Sequence, residues 1–185
     1  MLNRIEDQMK RLAAVTGVML MAAAEAMAQD KTPRPARRIV VSIPDRKLAV
    51  LEDDRVVRTF DVAVGAPLSP SPTGNFVVIN HIALPTWYYK GKVVGPGPAN
   101  PVGTRWMGLS TPGYGIHGTN APNSIGKSVS HGCIRLRNTD IEQLFELVAV
   151  GDAVELHGDR TPEIAALFPA PAVAAAAAQT VIGDN

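Results

Sequence analysis

Three short segments rich in β-branched residues constrain the fold more than any other feature of the chain. They span residues 39–43, 47–51 and 56–64, and turn residues such as Pro44 and Asp45 separate the first two. Apolar runs of this length, bounded by Pro and Asp, are typical of strands joined by tight turns. The sequence therefore predicts an antiparallel meander at the start of the folded part of the chain.

One helix is predicted after residue 138, followed by a closing strand at residues 153–156. Thr139 and Glu142 match a capping box, in which the two side chains satisfy free amides at the helix start. Residues 85–115, rich in Gly, Pro and aromatics, are expected to be a long irregular binding loop. The fold is thus predicted to be mostly β with one principal helix. Apolar side chains at helical spacing support the helix: Ile141, Leu144, Phe145 and Val148.

Residues 1–28 have the organisation of a signal peptide. Residues 12–24 form an apolar run shorter than the roughly 20 residues of a spanning helix. Ala26 and Ala28 provide the small residues that a signal peptidase requires. An uncleaved amphipathic helix or anchor is the alternative, because the leader is long and of mixed charge. We expect an exported protein, in the periplasm or cell wall after cleavage near Ala28.

The remaining chain divides into three parts. Residues 29–36 are a Pro- and Arg-rich linker, residues 37–158 are the folded domain, and residues 159–185 are a low-complexity Ala/Pro tail. A short helix around residues 163–168 is the alternative for the start of this tail. The formal net charge of +1 indicates no basic surface for nucleic acid, so no nucleic-acid partner is expected.

Cys133 is the only cysteine of the chain and lies in the segment SVSHGCIRLRN. In an oxidising compartment, a thiol without an intrachain partner indicates a reactive group or an intermolecular bridge. In an extended segment, His131, Cys133 and Arg135 share one face, while Ile134 and Leu136 point to the core. Because nearby cations lower a thiol pKa, this placement favours a reactive cysteine over an inert packed one.

A nucleophilic thiol also needs a base, and His117 is favoured over His131. His117 is the middle residue of the segment GIHGT, whose glycines allow a close approach of backbone and substrate. It precedes Cys133 by sixteen residues, enough chain to bring two strand ends together. His81 is expected to be structural and His157 to lie at the surface. A zinc site formed by His117, His131 and Cys133 is a competing interpretation, but metal-binding spacings are absent, so no metal or cofactor is expected.

The segments around His117 and Cys133 resemble the signature of the L,D-transpeptidase catalytic domain of the YkuD type. The resemblance covers residues 37–157 and implies a β-sandwich or barrel with one principal helix after the catalytic strand. The motifs are specific in combination rather than singly. The matching segments are residues 64–65 with 72–76 (VG and PTGNF), 101–109 (PVGTRWMGL), 116–119 (IHGT), 130–136 (SHGCIRL) and the predicted closing helix and strand at 138–155.

The resemblance implies that Cys133 is the nucleophile and His117 the proton donor and acceptor, with His131 and Gly132 contributing an oxyanion hole or positioning. Cys133 would attack the bond between the diamino acid and the terminal D-Ala of a peptidoglycan tetrapeptide stem. The acyl group would pass to an amine, either of a second stem, giving a 3–3 cross-link, or of an outer-membrane lipoprotein. An L,D-carboxypeptidase, in which water takes the acyl group, is the alternative. A non-catalytic wall-binding protein is the alternative from another class.

Two positions depart from the pattern of some family members. Gly118 stands where some carry Ser, so a backbone carbonyl rather than a side chain is expected to orient His117. Arg135 stands where some carry Asn, and we expect Arg135 to bind a substrate carboxylate. Arg137 is either a second such group or simply solvated. Four aromatic residues either line the donor cleft or pack their own loop: Trp87, Tyr88, Tyr89 and Trp106.

Overall fold

The computed structural model describes residues 35–169, so the predicted signal peptide, most of the linker and the end of the tail lie outside the described residues. The described elements belong to one unit that begins at Ala36. Neither of the α-helices in this part of the chain is long and apolar enough to span a membrane. The strands are β1 (Arg37–Ser42), β2 (Lys47–Glu52), β3 (Arg55–Asp61), β4 (Val64–Gly65), β5 (Gly74–Ala83), β6 (Trp87–Tyr89), β7 (Lys92–Val94), β8 (Arg105–Leu109), β9 (Gly115–His117), β10 (Ser128–Ser130), β11 (Ile134–Arg135) and β12 (Ala153–His157); the helices are α1 (Asn138–Leu147) and α2 (Pro162–Leu167), with a 3₁₀ turn at Pro122–Ser124.

Eight strands form one curled sheet in the order β11-β9-β8-β5-β12-β1-β2-β3. The predicted meander is confirmed, because β1, β2 and β3 pair antiparallel to one another. Two pairs of this sheet are parallel, β1 with β12 and β11 with β9. The pairs β10–β4 and β6–β7 form two further small sheets. The mostly-β prediction with one principal helix is therefore confirmed, and the parallel β9–β11 pair lies at one edge of the large sheet.

Strands β1 and β2 are buried on both faces, which explains why their sequences are almost uniformly apolar. One face of the two strands, including Ile39 and Leu48, belongs to the main core, where α1 also packs through Ile141 and Leu144. The opposite face forms a second, smaller cluster, in which Val40 is fully buried. The main core supports the β9–β11 edge, since Ile116 and Ile134 belong to it as well.

Helix α1 begins two residues earlier than the capping box at Thr139 predicts, so the predicted capping box is wrong. Its N-cap is Arg137, whose side chain makes no capping bond, and the Arg137 carbonyl accepts from the amides of Asp140 and Ile141. Thr139 therefore lies inside the first turn, where its hydroxyl is 3.4 Å from an Asp140 carboxylate oxygen. The side chain of Asn138, the first helical residue, bonds to two other loops instead.

Two predictions for loop segments are also wrong. Residues 85–115 are not one irregular loop, because they contain the β6–β7 hairpin and strand β8. The tail from residue 159 begins with a packed helix: Ile164 and Phe168 are buried in the second cluster against β1 and β2. Helix α2 starts at Pro162, and the Thr161 hydroxyl accepts from the Ile164 amide at 3.4 Å. The alternative of a short terminal helix is the correct one.

Candidate active site

The parallel pairing of β9 and β11 brings His117 and Cys133 to the same edge of the sheet. Ile134 lies opposite Ile116, and Arg135 lies opposite His117. Cys133 precedes Arg135 by two positions, so the alternation of side chains puts both on the side of His117. Ile134 and Ile116 are buried in the core on the other side. The predicted separation of a polar face from an apolar face is therefore present.

The segment that carries Cys133 is a bend rather than the extended strand that the sequence predicts. Gly132 has a φ of +107°, and a Cβ atom at this position would lie 2.5 Å from Cε1 of Tyr114. Only glycine combines this conformation with the close approach of an aromatic ring. The bend is held by Ser130, whose hydroxyl donates to the Cys133 carbonyl at 2.6 Å and accepts from the Gly132 amide at 3.0 Å. Gly132 thus positions the thiol-bearing segment.

The bend also decides which backbone amides are available to stabilise an oxyanion. The Gly132 N–H donates to the Ser130 hydroxyl at 3.0 Å, and its expected part in an oxyanion hole stays a prediction. By contrast, the Cys133 N–H has no hydrogen-bond partner within residues 35–169. The N–H of His131 likewise has no partner in this part of the chain, so the amides of His131 and Cys133 are the available donors.

His117 is held in a single orientation by its backbone neighbour and by an aromatic ring. Its Nδ1 atom lies 2.6 Å from the Gly118 carbonyl, as expected for a chain without a side-chain partner at residue 118. A carbonyl only accepts, so Nδ1 carries the proton and Nε2 is left as an acceptor. Trp106 stacks on the imidazole with ring centroids 5.4 Å apart. The tautomer is therefore the one that a general base requires, with Nε2 unprotonated.

Burial determines the charge of His117. The side chain is only 4% exposed, and this burial lowers its pKa from 6.5 to about 4. The bond to the Gly118 carbonyl opposes this change, whereas the charge of Arg135 reinforces it. His117 is therefore neutral at pH 7, which is the state in which it can accept a proton.

The Cys133 thiol does not have the lowered pKa that its cationic neighbours predict. Burial raises its pKa above the ordinary value of 9.0, and a hydrogen bond with the Gly115 backbone and the charge of Arg135 only partly offset this effect. The thiol donates to the Gly113 carbonyl, with Sγ and O 3.7 Å apart. In the free protein, the site thus holds a neutral thiol and a neutral imidazole, because desolvation outweighs the nearby charge.

Arg135 is directed into the site, and Arg137 is not. The Nε atom of Arg135 is buried without a hydrogen-bond partner among the described residues. Its charge acts on both His117 and Cys133. Arg137 is exposed and forms an ion pair with Asp140 at 3.4 Å. Arg135 therefore offers an unpaired cationic donor next to the thiol, whereas Arg137 belongs to the surface of α1.

Aromatic residues enclose the site from two directions. Trp106 lies over β9, where a Cβ atom at Gly115 would be 2.6 Å from its ring. On the other side, Tyr89 of the β6–β7 hairpin approaches the ring of His131, with centroids 6.3 Å apart. Tyr88 of the same hairpin is 71% exposed. Trp106 and Tyr89 thus belong to the site.

Asn100 is a structural residue of the site that the sequence analysis missed. It is fully buried, and its amide group donates to the carbonyls of Pro85 at 2.7 Å and Gly95 at 3.0 Å. Its Oδ1 accepts from the Val102 amide at 2.9 Å. These bonds tie both ends of the β6–β7 hairpin together. No local pattern in a Gly- and Pro-rich segment reveals such a role, because its partners come from two sides of a hairpin.

The other two histidines lie outside the site. His81 on β5 stacks on Phe145 with ring centroids 3.5 Å apart. His157 on β12 is 3.1 Å from a carboxylate oxygen of Glu155. Among residues 35–169, no three His, Cys, Asp or Glu side chains are grouped so that they could hold a metal ion.

The fold and site together define a mostly-β domain with a cysteine–histidine pair at one sheet edge. Residues 36–156 match the model of the L,D-transpeptidase catalytic domain, YkuD. The chain therefore belongs to the L,D-transpeptidase family of the YkuD type, a family of enzymes.

Sequence and structural relatives agree with this assignment. The YkuD protein of Bacillus licheniformis is 43% identical over 119 residues, and the match covers 64% of each chain. An L,D-transpeptidase from Mycobacterium smegmatis has a TM-score of 0.58 at 20% identity, covering 67% of this chain and 59% of that one. The structure of a cysteine-to-serine mutant of the Enterococcus faecium L,D-transpeptidase has a TM-score of 0.57 at 26% identity, covering 66% and 50%. The chain thus spans less than two thirds of the length of these relatives.

Proposed function

We propose that the protein is an exported peptidoglycan L,D-transpeptidase that acts through Cys133. The observation that carries the proposal is the parallel β9–β11 register, which brings the segment of Cys133 beside a buried His117 whose Nδ1 is bonded to the Gly118 carbonyl. This arrangement supplies a nucleophile and a base of defined tautomer on neighbouring strands. Membership of the family supports a peptidoglycan stem peptide as the donor substrate.

The first half-reaction forms a thioester and releases D-Ala. As the thiol attacks the carbonyl carbon of the diamino acid, its proton passes to Nε2 of His117. The oxygen of the tetrahedral intermediate becomes negative, and the free amide of Cys133 is suited to stabilise it. When the intermediate collapses, the C–N bond to D-Ala breaks and His117 returns the proton to the leaving amine. The acyl group of the stem is then bound to Cys133.

The second half-reaction uses the same groups in reverse order. The side-chain amine of another stem attacks the thioester, His117 accepts a proton from this amine, and the thiol is regenerated with that proton. The product is a 3–3 cross-link. A lysine amine of an outer-membrane lipoprotein is a second possible acceptor, and water in its place would make the enzyme an L,D-carboxypeptidase.

The pKa values of the site indicate when the thiol becomes reactive. With the pKa of His117 at about 4 and that of Cys133 raised, the thiolate–imidazolium pair is a minor species in the free protein. Proton transfer is therefore coupled to attack on a bound substrate rather than completed beforehand. Arg135 favours the thiolate, and its buried Nε without a hydrogen-bond partner among the described residues supports the proposal that it binds a carboxylate of the donor stem.

Incubation with purified tetrapeptide muropeptides, followed by mass spectrometry, tests the proposed reaction. We expect cross-linked dimers with loss of D-Ala, whereas tripeptides alone would identify a carboxypeptidase. Cys133→Ala is expected to abolish turnover and covalent labelling by a carbapenem. His157→Gln, on β12 and three strands away from β9, is the matched control that retains both. A carbapenem adduct on Cys133→Ala, or muropeptides left unchanged when stem and lipoprotein acceptors are both supplied, would contradict the proposal.

Export is a separate part of the proposal and has its own test. The apolar segment followed by small residues before Gln29 supports cleavage near Ala28 and a periplasmic or cell-wall location. N-terminal sequencing of the protein recovered from fractionated cells is expected to begin near Gln29. An intact Met1 terminus on protein retained in the cytoplasmic fraction would refute it.

A further inference from the structure

Asn138, the first residue of α1, reaches out of its helix to two loops of the site. Its Oδ1 atom accepts from the Thr119 amide at 3.1 Å and from the Thr104 amide at 3.3 Å. Thr119 follows the His117-Gly118 segment, and Thr104 immediately precedes β8. One side-chain oxygen thus connects the helix start, the loop after β9 and the start of β8.

The amide that Asn138 holds belongs to the same peptide group as the carbonyl that holds His117. The carbonyl of Gly118 and the N–H of Thr119 are the two ends of one planar peptide, and no described peptide bond is cis. In a trans peptide these two groups point in opposite directions. The N–H end bonds to Asn138, and the carbonyl end bonds to Nδ1 of His117. Rotation of this peptide would break both bonds at once.

Two glycines make room for the Asn138 side chain. A Cβ atom at either Gly118 or Gly103 would collide with Oδ1 of Asn138. The neighbouring backbone is fixed as well, since the Gly118 amide donates to the Arg105 carbonyl at 3.1 Å and the Leu136 amide donates to the His117 carbonyl at 2.9 Å. The space around the Gly118–Thr119 peptide is therefore filled by the side chain of Asn138.

We infer that Asn138 is a positioning residue that fixes the tautomer of His117 through the Gly118–Thr119 peptide. By holding the Thr119 N–H, Asn138 keeps the Gly118 carbonyl aimed at Nδ1, which keeps the proton on Nδ1 and leaves Nε2 as the acceptor. The two bonds in series also polarise the same peptide, which strengthens each of them. The catalytic consequence rests on the proposed function, because it requires His117 to act as the base for Cys133.

The test compares Asn138→Ala with Asn138→Asp in the full chain. Long-range ¹H–¹⁵N NMR of the His117 ring reports which nitrogen carries the proton, and carbapenem acylation of Cys133 reports reactivity. In Asn138→Ala, we expect a mixture of tautomers and acylation slowed about 10- to 100-fold. Asn138→Asp keeps an acceptor oxygen in place and is expected to retain the Nδ1–H tautomer and acylation within a few-fold of the native protein. Thr139→Ala, whose hydroxyl contacts only Asp140 in this structure, is the matched control and changes neither signal.

The outcomes separate this inference from the proposed function. An unchanged Nδ1–H signal in Asn138→Ala overturns the inference, whatever the activity. A shifted tautomer together with no muropeptide turnover by the native protein supports the role of Asn138 and contradicts the proposed function. If Asn138→Ala does not fold, Asn138→Ser replaces it, because the shorter side chain does not reach both amides. If Asn138→Asp also lost the Nδ1–H tautomer, the inference would be overturned, because a side chain that keeps the acceptor oxygen would then not maintain that tautomer.

Discussion

Burial of His117 makes the stability of the domain depend on pH in a defined window. The pKa of the folded state is about 4, and that of an ordinary histidine is 6.5. Between these values, the unfolded chain binds a proton at this position and the native protein does not, so stability falls as the pH falls. Above about pH 6.5 the imidazole is neutral in both states and the contribution no longer changes.

The size of the effect follows from the two pKa values. Each pKa unit corresponds to about 1.4 kcal/mol. Relative to pH 7, His117 therefore reduces the free energy of unfolding by about 2 kcal/mol at pH 5 and by about 3 kcal/mol at pH 4. A loss of this size is a large fraction of the stability of a typical domain.

Urea unfolding of the native protein and of His117→Asn, at steps between pH 4 and pH 8, isolates this contribution. Other titrating groups are common to both proteins, so the difference between their stabilities depends on His117. We expect this difference to change by about 2 kcal/mol between pH 7 and pH 5 in favour of the variant. Because burial is the main cause, the change should persist in 0.5 M NaCl, which screens exposed charges. Parallel pH profiles for the two proteins would refute the argument that His117 is buried in its neutral form.

Two further predictions concern the segment that carries Cys133. Gly132→Ala forces a side chain into a backbone with φ of +107° and against Tyr114, so we expect the free energy of unfolding in urea to fall by more than about 1–3 kcal/mol and acylation to be at least 10-fold slower. Gly126→Ala, with φ of +84° and open space around it, is the control for backbone strain alone. Equal losses of stability in the two variants would contradict the contact with Tyr114. Because burial raises the pKa of Cys133, its alkylation by iodoacetamide is expected to increase with pH to above 9 without a plateau near neutrality, and Arg135→Gln should move the profile further upward; a plateau between pH 6 and 8 would instead show a preformed thiolate.

The sequence predicted those features that depend on short-range patterns. The β1–β2–β3 meander follows from apolar runs and turns, and the burial of Ile134 and Leu136 beside a partly buried Cys133 follows from alternation. His117 was favoured as the base because small neighbours on the chain allow close approach. The first two arguments use only residues within a few positions of one another, which is why they held despite the bend at Gly132, whereas the role of His117 as the base stays a prediction.

The features that were missed depend on partners from distant parts of the chain. The charge of Arg135 next to Cys133 is visible in the sequence, but the desolvation that outweighs it is created by the surrounding fold. Likewise, the role of Asn138 was not predicted, because its bonds to Thr104 and Thr119 exist only once three elements are packed together. Helix α2 was predicted only as an alternative for the same reason, because the surface of β1 and β2 on which it packs lies more than a hundred residues earlier in the chain.

Three glycines around the site share one physical role, which links these observations. Each lies where a distant side chain packs directly against the backbone: Trp106 over Gly115, Asn138 against Gly118 and Tyr114 against Gly132. In each case, the absence of a side chain on the glycine lets the partner residue fix the backbone next to a functional group. Gly115 belongs to the strand of His117, Gly118 supplies the carbonyl that bonds to His117, and Gly132 forms the bend before Cys133. The rigidity of the site therefore comes from long-range packing rather than from the glycine-rich segments themselves, which taken alone would be conformationally free. It follows that substituting the partner side chains should loosen the site as effectively as substituting the glycines, although no sequence motif marks them.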